Sequence, residues 1–217
     1  MPSGCFELLE TMAYLPDAGL RNEPAHLARM SASAEYFGFR LELPAVRSTL
    51  HHAVAGVRQP TRVRLAAGPA GAVAVELRPL PDASTQPIRL VADGEPVCSS
   101  SVWLRHKTTR REAYDERQAR HPYADDVVLV NERGQLTEST IANLAVRLDG
   151  EWYTPPLEAG CLPGVERARL VREGRLCERN LHVDDLHCNE GLALVSSLRG
   201  WRPASFPGSR DSLTGAG

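Results

Sequence analysis

WLRHKTTRREAYDERQARHPYADDVVLVNERGQLTESTIAN, residues 103–143, is the stretch on which the reading of the fold turns. Lys107 lies in the basic run His106–Arg111, and an apolar strand candidate, Val127–Val130, follows it. The turn Asn131-Glu132-Arg133-Gly134 then leads into Leu136-Thr137-Glu138-Ser139. A hairpin over that turn places Glu138 at the mouth of a sheet whose edge carries Lys107. An amine and a carboxylate so placed can address opposite ends of one flat ligand. Alone, the KTTRR run reads as a solvated basic loop, and Glu138 as an edge-strand carboxylate.

Working outward, Phe6–Met12 reads as a first strand and Pro16–Gly19 as a turn. Glu23–Phe37 reads as an amphipathic helix, with proline in its first turn, Leu27, Met30, Ala34 and Phe37 at helical spacing, and Gly38 as its stop. A second helix is predicted over 44–58, a hairpin from Thr61–Ala66 and Ala72–Leu77, and a short strand at Ile88–Val91. The polar stretch Asp93–Ser101, with Pro96, reads as a linker. Beyond the opening stretch, strands Asn143–Leu148 and Glu151–Thr154 flank an Asp149-Gly150 turn, a strong hairpin signal. A helix Val165–Gly174, a strand Leu176–Asn180, a short helix Val183–His187 and a buried strand Gly191–Val195 complete the pattern. The tail from Ala204, rich in Ser, Gly and Pro, reads as disordered. The expected fold is mixed α/β in two domains: a small N-terminal one at 1–95 and a larger one at 96–217 that carries the lysine.

The totals narrow the function classes. A net charge of -2, from 25 basic and 27 acidic residues, suggests no polyanionic partner, so nucleic-acid binding is not expected. Five cysteines without CxxC spacing argue against a disulfide framework and a structural zinc site; no metal is expected, and a reducing cytoplasm fits. No apolar run approaches the roughly 18 residues of a membrane span, and MPSGCFELLE carries no signal pattern.

Four separated motifs, His26-Leu27-Ala28-Arg29, HKTTRR with YD two residues on, GxLTESxxxN ending at Asn143, and Leu162-Pro163-Gly164-Val165-x-Arg167, together resemble the class IV (fold type IV) pyridoxal-phosphate enzymes. That group holds branched-chain and D-amino acid aminotransferases and 4-amino-4-deoxychorismate lyases. The wording of the lysine run and the Arg199-Gly200-Trp201 run resemble the lyase-like domains most. The resemblance implies pyridoxal 5'-phosphate as cofactor, with Lys107 forming the Schiff base and then acting as the base. Glu138 would partner the ring nitrogen. Arg29 would hold the phosphate, since a guanidinium offers paired donors. The backbone N–H groups of Val165 and Glu166, at a helix start, would complete that anion site with Ser196 and Ser197. The lyase-like domains usually show Asn-Ser at the last pair, so Ser196 departs from the pattern. Arg199 is a candidate for a substrate carboxylate, and Asn143 for anchoring the turn. A tyrosine near the lysine contacts the cofactor in many relatives, but Tyr114 falls beyond that place and the role is not transferred to it. The expected activity is release of pyruvate and 4-aminobenzoate from aminodeoxychorismate, a step of folate biosynthesis. The alternatives are transamination of D- or branched-chain amino acids, and an inactive binding domain related to a synthase partner. A cytoplasmic homodimer, functionally linked to aminodeoxychorismate synthase, is the implied assembly.

Overall fold

The structure, a computed structural model, describes residues 6–81 and 86–208. The chain is mixed α/β and divides into two compact units. Unit one comprises residues 1–83 together with 106–110; unit two comprises 84–105 and 111–217. The expected boundary at 95/96 differs from this division in two places. The strand at 88–92 belongs to the second unit, and the lysine segment 106–110 belongs to the first.

In the first unit, β1 (Leu8–Leu15), β2 (Gly19–Leu20), β3 (Thr61–Ala67) and β4 (Val73–Pro79) form an antiparallel sheet in the order β2-β1-β3-β4. β1 buries Leu8, Leu9, Met12 and Ala13, and with them one acid, Glu10. Helix α1 spans Glu23–Phe37 and stops at Gly38, which takes a left-handed φ of 72°. The N–H groups of Gly38 and Phe39 close there on the carbonyls of Glu35 and Ala34, so the last turn is satisfied. The buried stripe of α1 includes two polar residues, His26 and Ser33. Helix α2 (Leu43–Val54) is shorter than the predicted 44–58, since Gly56 turns the chain at φ 80°. The predicted β3–β4 hairpin forms, with Val63 opposite Leu77.

Residues 106–110 return to this unit, where Thr108 makes an isolated antiparallel bridge with Leu8. The N–H of Leu9 donates to the Lys107 carbonyl at 2.8 Å, and that of Thr109 to the Glu7 carbonyl at 2.9 Å. Lys107 is thereby fixed by its backbone to the free edge of β1's first half.

The second unit carries β5 (Ile88–Ala92), α3 (Val102–Arg105), α4 (Glu112–Arg120), β6 (Asp126–Val130) and β7 (Leu136–Ser139). After these come β8 (Asn143–Leu148), β9 (Glu151–Thr154), α5 (Val165–Arg172), β10 (Cys177–Glu178), α6 (Val183–Cys188), β11 (Gly191–Ser196) and β12 (Gly200–Ser205). Its strands form one sheet in the order β10-β9-β8-β11-β12-β5-β6-β7. The period-2 alternation of β8 and β11 sends Leu144, Val146, Leu192 and Leu194 into one core, while Ala145, Ala193 and Val195 join Leu170 and Leu176 in another. Both faces of these central strands are therefore covered.

Asp93–Ser101 is not a linker: Asp93, Val97 and Ser99 are buried, and the Val97 N–H pairs with the Val130 carbonyl. Nor is the chain disordered from Ala204. Ala204 and Ser205 pair in parallel with Ile88 and Arg89, and Phe206 is buried in the larger core. A large aromatic anchors what composition alone marks as tail; residues 209–217 lie outside the described residues. Among the described residues, no helix is long and apolar enough to cross a membrane, and no group of three or more His, Cys, Asp or Glu side chains could hold a metal.

Candidate active site

The second unit gathers its candidate residues at one end of its sheet. The β6–β7 hairpin brings Glu138 to a buried position, 3% exposed. Its Oε1 accepts the Tyr114 hydroxyl at 2.7 Å and the Leu162 N–H at 3.0 Å, and its Oε2 accepts Asn143 Nδ2 at 3.2 Å. Asn143 also donates to the Leu162 carbonyl at 3.0 Å, tying the 155–164 loop to the start of β8. That loop then passes so near Asn143 that a Cβ at Gly164 would lie 1.7 Å from Asn143 Oδ1. Gly164 has an ordinary φ of -62°, so glycine is required here by close approach, not by conformation.

Directly after Gly164, α5 begins without a side-chain cap. Its first internal bond runs from Ala168 to the Gly164 carbonyl, so the N–H groups of Val165 and Glu166 precede it. The Glu166 carboxylate turns aside to Arg169, 2.6 Å away. Arg167, the last residue of the LPGVxR motif, is buried and donates to the Pro155 carbonyl at 2.7 Å. It holds the loop in place.

Asn143 pairs in register with Val195, so Ser196 and Ser197 follow at the same sheet end. Ser196 Oγ accepts the N–H of Arg199 at 3.2 Å, Ser197 is buried, and Arg199 is exposed. The second unit thus places Glu138, Val165, Glu166, Ser196 and Ser197 around one sheet end. Charge and burial act on their neighbours. Burial, reinforced by the Glu138 charge, pushes the Tyr114 phenol well above its ordinary value, and the same two causes push the Cys161 thiol up to about 12.

Lys107 and Arg29 belong to the first unit. Lys107 is half-buried, and its neighbour His106 stacks on Tyr36 with ring centroids 4.5 Å apart while Nδ1 meets Ser33 Oγ at 2.9 Å. Arg29, one turn before Ser33 on α1, forks onto Glu10: Nε reaches Oε1 at 2.8 Å and Nη2 reaches Oε2 at 2.6 Å. His26 Nδ1 lies 2.6 Å from the same Oε2. Burial alone would raise the Glu10 carboxyl, but Arg29 and His26 outweigh it and hold the group below its usual range.

Two residues of this geometry escape a reading of the sequence. Glu10 reads only as part of an apolar strand; the available signal is an acid on the buried side of LLETM. Tyr114 is passed over because it falls beyond the expected spacing, yet its hydroxyl reaches Glu138. Arg111, close to the expected tyrosine place, instead donates to the Thr140 carbonyl at 2.9 Å and lies over the Tyr114 ring.

Known proteins share this arrangement of chain. The family described as amino-transferase class IV matches residues 4–205. A Schizosaccharomyces pombe protein named "Putative aminodeoxychorismate lyase" is 33% identical over 201 residues, covering 88% of this chain and 86% of its own. The crystal structure of a Mesorhizobium loti protein described as a "Putative amino-acid aminotransferase" superposes with a TM-score of 0.87 at 37% identity, covering 93% of this chain and 99% of that one. The PLP-bound form of a protein from Mycobacterium tuberculosis described as "A hypothetical aminotransferase" shares the fold, with a TM-score of 0.77 at 22% identity over 94% of this chain and 82% of that one. With its mixed α/β units and a match that runs from residue 4 to residue 205, the chain belongs to the class IV aminotransferase family.

Proposed function

We propose that the chain is a pyridoxal 5'-phosphate enzyme that cleaves 4-amino-4-deoxychorismate to 4-aminobenzoate and pyruvate. The observation that carries the cofactor assignment is the surrounding of Glu138. A carboxylate that accepts three donors in a buried setting stays an acceptor, which is what a protonated ring nitrogen requires. The residues present fit the rest of the group. The first N–H groups of α5 and the hydroxyls of Ser196 and Ser197 suit a phosphate, as does the Arg29 guanidinium. When bound, pyridoxal phosphate supplies an electrophilic aldehyde carbon and a protonated ring that draws electrons from the substrate. Lys107 Nζ would hold that carbon and, when free, would take the proton from the substrate ring carbon. The ring C–O bond would then break, its electron pair leaving with the enolpyruvyl oxygen; one proton returned to the enol carbon gives pyruvate, and aromatisation of the ring left behind favours the departure. Glu138 would accept the hydrogen bond of the ring nitrogen, and Asn143 holds Glu138 and the 155–164 loop in register.

The lyase is supported by the name of the S. pombe relative and by the HKTTRRxxYD and RGW runs. The M. loti similarity, over 99% of that chain, favours a second reading, transamination of an amino acid by the same residues. The presence of Lys107, Glu138 and Arg29 together argues against an inactive binding domain. The homodimer and the link to an aminodeoxychorismate synthase are part of this proposal and are checked by light scattering and by co-purification.

The deciding assay gives the purified chain, with pyridoxal phosphate, either aminodeoxychorismate or pairs of amino and keto acids. Pyruvate released without an amino acceptor supports the lyase; turnover only of the pairs replaces it with the aminotransferase. Lys107→Ala is expected to lose both the cofactor's bound visible absorbance and the activity.

A further inference from the structure

We propose that Tyr114 is a positioning residue that keeps Glu138 ionised, so that a proton shared between this acid and a heteroaromatic ring nitrogen stays on the ring. The inference rests on the cofactor assignment above for its second half only.

The donors around Glu138 carry the argument. The Leu162 N–H and Asn143 Nδ2 can only donate, and both bond more strongly to an ionised carboxylate than to a protonated one. The Tyr114 hydroxyl is different, since it could turn and accept. It sits at 2.7 Å, the shortest of the three contacts, and its high proton affinity, caused by burial and the Glu138 charge, keeps it a donor. The hydroxyl is also delivered with care. Tyr114 packs with Val97, Leu104 and Leu129 in a small core of its own, and Arg111 lies 5.0 Å over its ring. Arg111 is itself held by the Thr140 carbonyl, two residues from Glu138. Thus the first turn of α4, whose sequence EAYDERQAR is otherwise polar, brings one phenol to one carboxylate.

A hydrogen bond to a charged acceptor corresponds to a shift of about 10- to 100-fold in its proton equilibrium, or about one to two pH units. Tyr114→Phe removes that bond and preserves the ring packing. In the cofactor-free chain, the pH midpoint of the Glu138 carboxyl, followed by carbon-13 labelling of glutamate, is expected to rise by about that amount in Tyr114→Phe. An unmoved midpoint overturns the assignment. Glu138→Gln gives the reciprocal measurement: the Tyr114 phenol, read by ultraviolet titration, is expected to ionise at lower pH, and an unchanged phenol again overturns it. With pyridoxal phosphate labelled by nitrogen-15 in the ring, Tyr114→Phe is expected to move the ring resonance from the protonated towards the unprotonated value. If the wild-type chain takes up no pyridoxal phosphate, the proposed function fails and the ring-proton half fails with it. The two cofactor-free titrations still decide whether Tyr114 holds Glu138 ionised.

Discussion

Glu10 shows how much a single buried acid can organise. Only 1% exposed, it receives both arms of the Arg29 fork and the His26 ring, so the three side chains stand or fall together. Glu10→Gln keeps the shape but leaves Arg29 beside a neutral amide. Removing one partner of a buried ion pair costs about 3 kcal/mol. The urea midpoint of the cofactor-free variant is expected to fall accordingly, with the slope unchanged. If Arg29 holds a phosphate, its affinity for pyridoxal phosphate is also expected to weaken by about tenfold, one charge-assisted hydrogen bond's worth of alignment. Arg29→Lys is expected to lose more affinity than its charge suggests, since an ammonium cannot fork onto Glu10 and present a second edge. Equal affinity for the lysine variant would show that Arg29 serves the first unit's packing alone.

At the scale of elements, the critical joint is the loop-to-helix turn at Gly164. Gly164→Ala leaves the backbone conformation allowed but drives a methyl into Asn143 Oδ1. Asn143 must move, and with it the bonds to Glu138 and to the Leu162 carbonyl. Overpacking of this kind costs about 1–3 kcal/mol. Pyridoxal-phosphate uptake, titrated by absorbance, is expected to weaken at least about tenfold, in keeping with a disturbed charged hydrogen bond. Elements whose signals are local are the ones that the sequence discloses. Helix α1 is legible to the residue, because Pro24 opens it, the apolar spacing sustains it and Gly38 ends it. The β8–β9 hairpin is legible because Asp149 and Gly150 both take positive φ, at 52° and 81°. Helix α4 is not, since it buries only Tyr114 and Arg117 and shows no apolar stripe. Lys107 and Glu138 stand out as chemistry. Tyr114 and Glu10 do not, because their partners lie 24 and 16 or more residues away and nothing local marks the contact.

Over the whole molecule, each unit contains a depressed carboxylate at its heart, and acid should test both. In the first unit it is Glu10. In the second it is Asp93, where burial opposes ionisation but Arg120, the Glu95 N–H and His121 overcome it and bring the group down to about 2. Asp93 bonds Arg120 at 2.7 Å and lies 3.6 Å from the buried Arg117, so it pins α4 to the end of β5. A carboxyl whose folded value lies below its unfolded one binds more protons when unfolded. Its stabilisation is complete above the ordinary carboxylate range, near pH 4, and is lost as pH falls towards 2. The expected outcome is a chemical-denaturation stability that declines steeply across that window, and an Asp93→Asn variant that is weaker at neutral pH by about 3 kcal/mol yet less sensitive to acid. The fluorescence of Trp152 and Trp201, packed edge to face 4.6 Å apart in the second unit, reports unfolding there. Should Asp93→Asn fall as steeply with acid as the wild type, the carboxylate at the end of β5 would not be the group whose protonation loosens the second unit.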